Sequence, residues 1–480
     1  MIATWLATLP WMVLAITVPL VGALAAFVSP RRAPMVGLVF SLLTAMAAVG
    51  VLFDFLAWGK QLHTAGGWGA PLGIDLVADG LSVLMLSMTA VVGTAISVYA
   101  RVYLAPHADK ARHFWPLWLF LWAALNALFQ SADVFNLYVT LELLGLSAVA
   151  LVALTGSGPA LWGAMRYLLV SLLGSLSYLV GVALLYHAYG TVDLALLAER
   201  AEGGLQLAVP LAAMIAGLLL KTGLFPFHVW LPPAHGSARA PVSALLSGLV
   251  VKASFYLLLR LWFTFLPEGE AMPLLLGCLG AAAIFWGSIQ ALRQKRLKLL
   301  VAYSTVAQLG YLFIAFPLAG LEPQLAWSGS IYLALSHAFA KGAMFLAAGS
   351  IMTQSGHDEI DELDLVVDRM PRTLTAFALS GISLAGLPPS GGFVGKWLLL
   401  QSAMAQGKAV WAAIIIVGGL LTATYVFRVV GFAFTRSEHH HERHDVPATM
   451  EWTALLLALG AVLLGFVAPW ALPLLDGVLP

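Results

Sequence analysis

Apolar stretches close to the roughly 20 residues needed to cross a bilayer recur along the whole chain. They fall near 10–29, 34–54, 80–102, 114–131, 133–154, 164–187 and 208–227, and continue at 242–266, 273–292, 297–317, 325–352, 373–402, 411–433 and 451–473. A segment surrounded by lipid has no water for its backbone groups, so each stretch must be a helix that satisfies itself. The expected fold is an all-α polytopic membrane protein with fourteen transmembrane helices. Composition agrees, since 61% of residues are hydrophobic and only 10% charged. The first stretch is followed by more of the same kind, and is expected to act as the targeting segment itself.

Lys and Arg test the number of spans independently, because they collect in the loops of one side. Arg31, Arg32, Arg101, Lys110, Arg112, Arg166, Arg239, Arg293, Lys295, Arg296, Lys298, Arg369, Arg372, Arg428, Arg436 and Arg443 fall in alternate loops. The opposite loops hold Lys60, Arg200 and Lys408. This asymmetry places both termini on the outer, periplasmic face of a cell inner membrane. Net charge is +1, which offers no basic face for nucleic acid. Cys278 is the single cysteine, so neither an internal disulfide nor a cysteine-held iron–sulfur cluster is expected.

Five basic residues remain inside the spans: Lys221, Lys252, Arg260, Lys341 and Lys396. Arg260 lies near an outer helix end, where it is expected to snorkel to the interface. The four lysines sit near mid-membrane with one acid, Glu142, and one central histidine, His337. Asp79 and Asp133 fall at span ends. A charge at the bilayer centre costs at least ~2.5 kcal/mol and persists only against protein or water. Inert ion pairing is the bland explanation, yet a single carboxylate cannot neutralise four lysines. Burial disfavours the charged amine and a nearby carboxylate favours it, which makes such a group suited to proton exchange.

Two of these lysines adjoin helix-breaking motifs. Lys221 precedes Pro226 and the pair Pro232-Pro233, while Lys396 follows Gly386, Pro388-Pro389 and Gly391-Gly392. Interrupted helices at matching places in two halves point to inverted repeats around a midplane site. The chain accordingly divides into 1–113 (helices one to three), 114–266 (a five-helix repeat), 273–433 (a second one) and 451–480 (the last helix). Five is odd, so the second repeat enters the membrane from the opposite side.

His337 and Lys341 are four apart and share a helix face, which favours a relay partner over an inert core histidine. His228 and His235 flank the first break on the cytoplasmic side, where guarding a proton entrance and hydrogen-bonding the open backbone are equally good readings. The tract His439–His444 is histidine-rich but has no spacing that fixes a metal geometry, and a solvated loop is the better expectation. The acidic run 358–364 reads as a cytoplasmic surface. Gly156 and Gly158 follow no strand and form no phosphate loop. No cofactor and no metal site are expected, and haem lacks a second central histidine.

These motifs resemble the antiporter-like subunits shared by Mrp-type multisubunit Na+/H+ antiporters, respiratory complex I and membrane-bound hydrogenases. The resemblance spans nearly the whole length. It is carried by 133–142, by 220–235 with Lys221 and His228, by 241–252, by 297–311, by 337–341 and by 386–396. It implies two inverted five-helix repeats, a Glu142–Lys221 pair, Lys252 as the bridge and Lys396 as the terminal proton site of the second half. Lys at 396 and the length of 480 residues look most like the D-type branch of the Mrp subunits.

The expected function is that of a proton-translocating subunit rather than an enzyme, moving H+ through Glu142, Lys221, Lys252, His337, Lys341 and Lys396 with water between them. The alternative is a proton-pumping membrane subunit of a complex I-like or hydrogenase-like complex. The expected partners are the other subunits of such a complex and the bilayer. Na+ prefers several oxygen ligands, by analogy with other hard cations, so a sodium path is expected in a partner subunit. A membrane oxidoreductase holding its own cofactor is disfavoured by the single cysteine and the single central histidine.

Overall fold

A computed structural model describes residues 9–265, 269–437 and 444–480. Two helices open the chain, α1 (Trp11–Val28) and α2 (Ala33–Trp58). A short antiparallel hairpin follows, β1 (Gln61–Thr64) with β2 (Asp75–Ala78), in which Gln61 faces Ala78 and Thr64 faces Asp75. It lies between the second and third apolar stretches, in a loop for which the sequence reading expects no strand. Next come α3 (Gly80–Tyr103), α4 (Ala108–Gln130), α5 (Val134–Ala153) and α6 (Gly158–Tyr189). The interrupted α7 (Leu205–Ser237) leads into α8 (Ala240–Phe265).

The second half runs α9 (Ala271–Arg293), α10 (Leu297–Leu318) and α11 (Pro323–Ser355). It continues with α12 in two pieces (Pro371–Ala385 and Gly391–Ala405), α13 (Ala409–Phe432) and α14 (Ala448–Leu475). Among the described residues, 12 helices are long and apolar enough to cross a membrane. The other two expected spans fall on helices outside that set. One is α4, with 23 residues and a charged start at Asp109, Lys110 and Arg112; the other is α12, whose halves have 15 residues each. The tract 439–443 lies outside the described residues.

A helix that is apolar all round must be buried, whereas a peripheral one keeps a face outside. Helices α8, α10 and α11 are enclosed on nearly every side. Helices α1, α2 and α6 instead present Phe27, Phe53 and Leu169 outward. The enclosed helices carry Lys252, His337 and Lys341, so the residues most costly to lipid lie furthest from it.

The two breaks use one device. In α7 the first piece ends at Thr222, with Gly223 left-handed (φ 72°) and the amides of Gly223 and Leu224 returning to the Leu219 carbonyl at 3.1 and 3.3 Å. In α12 the first piece ends at Ala385, with Gly386 left-handed (φ 86°) and the amides of Gly386 and Leu387 returning to Ile382 at 3.2 and 3.1 Å. Glycine alone takes this conformation without strain, and the backward bonds close carbonyls that the break would orphan. The second piece of α12 starts cleanly because the Ser390 hydroxyl accepts from the Phe393 amide at 3.1 Å. A single π-turn over Leu246–Val250 interrupts α8 just before Lys252.

Three charged residues or runs sit otherwise than their sequence positions suggest. Arg260 does not snorkel: its guanidinium forms a fork on Asp79, with Nη2 2.6 Å from one carboxylate oxygen, while Nε reaches the Tyr256 hydroxyl at 2.8 Å. Lys298 is not a loop residue but lies in the first turn of α10, buried, with its amine on the Ala238 carbonyl. The acidic run is tied into the structure at several points, while Glu359 and Asp361 remain exposed. Asp358 is buried and pairs with Arg296 at 2.9 Å, Asp361 pairs with Arg428 at 3.6 Å and Asp364 with Arg369 at 2.7 Å. Asp79 and Asp133 do sit at helix starts, each accepting a backbone amide three residues on, Ser82 and Asn136.

Candidate functional site

Glu142 projects from the middle of α5 and meets Lys221 at the end of the first piece of α7, with Nζ 3.5 Å from Oε2. The same amine donates to the Ser171 hydroxyl at 3.0 Å, and Ser175, one turn on along α6, donates to the carboxylate. Two glycines make the room. A Cβ at Gly145 would stand 3.3 Å from the Lys221 nitrogen, and one at Gly174 would stand 3.0 Å from its Cγ. Lys221, Tyr167, Ser171 and Ser254 line a cavity with about 10 Å³ of space for water centres, enough for about one molecule. It joins the first pair to α8, where Thr222 donates to Ser254 at 2.9 Å.

Lys252 is fully buried two residues before Ser254, and its amine takes the Ser247 carbonyl that the π-turn exposes. Such turns are rare and concentrate at functional positions. Lys341 is equally buried on α11 and reaches across to α10, to the Val301 carbonyl at 3.0 Å and the Ser304 hydroxyl. His337, one turn before it, makes no hydrogen bond through either ring nitrogen among the described residues.

Lys396 closes the row on the second piece of α12. Its amine donates to the Leu384 carbonyl at 2.7 Å and stands 3.9 Å from the centre of the Tyr311 ring, a cation–π distance. Only Lys221 among the four lysines has a carboxylate partner among the described residues; the others are held by carbonyls, hydroxyls and an aromatic face.

The structure separates the two flanking histidines. His235 is fully buried in the second piece of α7 and stacked on Phe345 of α11 at 5.1 Å. The backbone opened by the break is instead reached by Trp230, whose indole donates to the Leu220 carbonyl at 3.0 Å. His228 lies against α9, accepting from Trp286 at 3.1 Å and stacking on Phe225.

One helix ties the second half together, although the charge pattern of the sequence gives it no role. On α10, Ser304 takes Lys341, Thr305 shares a 2.9 Å bond with Ser247 beside Lys252, Gln308 donates to the Leu384 carbonyl at 3.2 Å, and Tyr311 lies under Lys396. These positions are three or four apart, apart from the adjacent Ser304 and Thr305, and form one polar stripe. A polar stripe at helical spacing within an apolar span is the signal that could have found them.

Comparison with known proteins places this arrangement. The transmembrane family described as NADH:quinone oxidoreductase/Mrp antiporter matches residues 131–422, which include every residue of the row. The N-type subunit of the NADH-quinone oxidoreductase of Desulforudis audaxviator is 34% identical, over 96% of this chain and 99% of that protein. The D-type subunit of the Na+/H+ antiporter of Alkalihalophilus pseudofirmus is 30% identical, over 89% of this chain and 88% of its own. A chain in the structure of the Mrp complex from Dietzia superposes with a TM-score of 0.88 at 24% identity, covering 97% of this chain and 95% of that one. A chain of the archaeal membrane-bound sulfane sulfur reductase gives the same TM-score at 28% identity, with 96% of each chain covered. The chain is a polytopic membrane protein that belongs to the NADH:quinone oxidoreductase/Mrp antiporter transmembrane family.

Proposed function

We propose that this chain is the proton-translocating subunit of a multisubunit cation/proton antiporter of the Mrp type. The observation that carries the reading is the unequal balance of the buried row: four enclosed lysines, with a carboxylate for Lys221 only among the described residues, threaded by polar side chains of α6, α8 and α10. An amine without a counterion in a low-dielectric interior is costly to charge. Protonation of one site therefore disfavours protonation of its neighbour, and a proton entering at one end displaces another. Opening the Glu142–Lys221 contact removes the partner that favours the charged amine and drives its proton toward Lys252. From there His337 and Lys341 lead to Lys396. The likeness to the Alkalihalophilus antiporter chain supports the antiporter assignment.

In this reading residues 114–266 and 273–433 form the two inverted repeats of a fourteen-span bundle, both termini lie on the periplasmic side of the inner membrane, and Na+ passes through a partner subunit. His235 extends the row toward the cytoplasm, and His228 stands outside it. The experiment is proton flux into vesicles containing the assembled complex, with Lys221→Ala and Glu142→Gln compared with wild type. Flux at the unaltered rate in both variants ends the proposal. A second reading, a proton-pumping subunit of a redox-driven respiratory complex, is favoured by the 34% identity to the Desulforudis oxidoreductase chain. Partner subunits carrying clusters or quinone in the purified complex decide for it.

A further inference from the structure

On the face that gathers most Lys and Arg, a cavity of about 510 Å³ opens between the two halves, above the second piece of α7. Its lining holds three basic side chains, Arg239, Arg296 and Lys298, and no carboxylate among the described residues. Asp358 holds Arg296 through Nε at 2.9 Å, which leaves one acid against three bases. Arg239 forms no ion pair among the described residues, and its buried Nε has no acceptor there. The Thr155 hydroxyl on the same wall is likewise buried without a partner among them. Unpaired buried donors are costly and call for an acceptor.

The backbone adds to the same field. Helix α6 begins at Gly158 after Ser157, and α8 at Ala240 after Arg239; all four residues line the cavity or adjoin its lining, and neither start is capped by a side chain. The positive ends of two long helix dipoles therefore meet three cationic side chains. At the rim stands Trp162, 60% exposed, with the Arg166 guanidinium 4.9 Å above its ring. Below it, Met165 and Leu169 continue an exposed apolar lane down α6. Aromatic and basic residues at this level mark the headgroup layer of a bilayer.

We propose that this cavity is a binding site for a phosphate-bearing anion, held by Arg239, Arg296 and Lys298. Arginine forks suit phosphate oxygens, the lone-standing Arg239 supplies a charge that no group among the described residues neutralises, and the volume accepts a glycerophosphate headgroup. The apolar lane beside Trp162 gives acyl chains a path, so the phosphodiester of an anionic phospholipid fits the site's depth; free inorganic phosphate satisfies the same polar contacts.

The test uses the full-length chain in nanodiscs of mixed phosphatidylglycerol and phosphatidylcholine, with retained lipid read by native mass spectrometry, and a parallel titration of the delipidated chain with inorganic phosphate. Arg239→Gln and Arg296→Gln are expected to weaken binding roughly tenfold each, the size of one charge-assisted contact. Arg32→Gln, on the same side but lining a different groove, leaves it unchanged. Selective retention of phosphatidylglycerol that depends on Arg239 identifies a lipid site; Arg239-dependent phosphate binding without lipid selectivity identifies a free-phosphate site, and both support the proposal. Arg296→Gln also breaks the Asp358 pair, so Arg239→Gln decides if that variant misfolds. Binding of both probes that is indifferent to Arg239, or no binding of either, overturns it.

Discussion

Lys396 donates its amine to the Leu384 carbonyl at 2.7 Å, on the last turn of the half-helix that its own half-helix faces. The Ala385 carbonyl is 3.3 Å from the same nitrogen. Carbonyls at a helix C-terminus carry the negative end of the dipole and have no intrahelical donor. One side chain therefore does two things: it ends the proposed row and it satisfies the break. Lys396→Met keeps the length of the stem and removes the donor. Gln308 still donates to the Leu384 carbonyl, so the variant is expected to lower stability by about 1 kcal/mol, the net worth of one lost hydrogen bond, and to abolish proton flux. Thermal unfolding of the purified variant at the wild-type midpoint would show that the amine does not hold the break.

Gly145 faces the amine of the first pair. A Cβ there would stand 2.8 Å from the Ser171 hydroxyl and 3.3 Å from the Lys221 nitrogen. Gly145→Ala thus displaces the amine without altering any titratable group. Displacements of about 1 Å cost up to roughly a hundredfold in reactions that depend on alignment, and a loss of tenfold or more in vesicle proton flux is expected, with helicity unchanged by circular dichroism. Full flux in this variant would mean that the Glu142–Lys221 distance is not limiting.

Much of this site is legible in the sequence because lipid makes charge expensive. Lys221, Lys252, Lys341 and Lys396 stand out in apolar runs, and the Gly–Pro breaks beside two of them read directly as interruptions. What stays hidden depends on contacts between distant segments. Asp79 and Arg260 are 181 positions apart, so nothing local marks them as a pair, and an arginine near a span end reads as a snorkelling one. Lys298 lies within a basic run, Arg293 to Lys298, and reads like its neighbours. Its burial follows from the Ala238 carbonyl, which belongs to the loop after α7. The stripe on α10 is silent because Ser, Thr and Gln cost little in a membrane helix and acquire meaning only from the lysines they touch.

The Arg260–Asp79 fork is expected to be the strongest single polar tie between α3 and α8. Asp79 caps α3 through the Ser82 amide, and Arg260 also donates to the Ser82 hydroxyl at 2.7 Å. Removing one partner of such a pair leaves an uncompensated buried charge, at a cost of about 3–5 kcal/mol. Arg260→Met alone should therefore destabilise the protein more than Arg260→Met combined with Asp79→Asn, which keeps a capping oxygen while removing the charge. Unfolding midpoints of the single and double variants check this, and a strictly additive double variant would show that the two groups are not coupled.

The stripe on α10 separates a packing role from a conducting one. Ser304→Ala and Thr305→Val delete the hydroxyls that touch Lys341 and Ser247 with almost no change in volume. Each variant is expected to cost about 1 kcal/mol in stability, the net worth of one hydrogen bond, and the protein should still assemble. If the hydroxyls merely fill space, proton flux in the double variant follows the amount of folded protein. If they carry protons between Lys252 and Lys341, flux per folded molecule falls well below that line, while Thr375→Val, whose hydroxyl serves its own helix at Pro371, stays on it. Flux measured against folded protein across these variants gives the answer, because hydrogen-bond loss alone cannot distinguish Thr305 from Thr375.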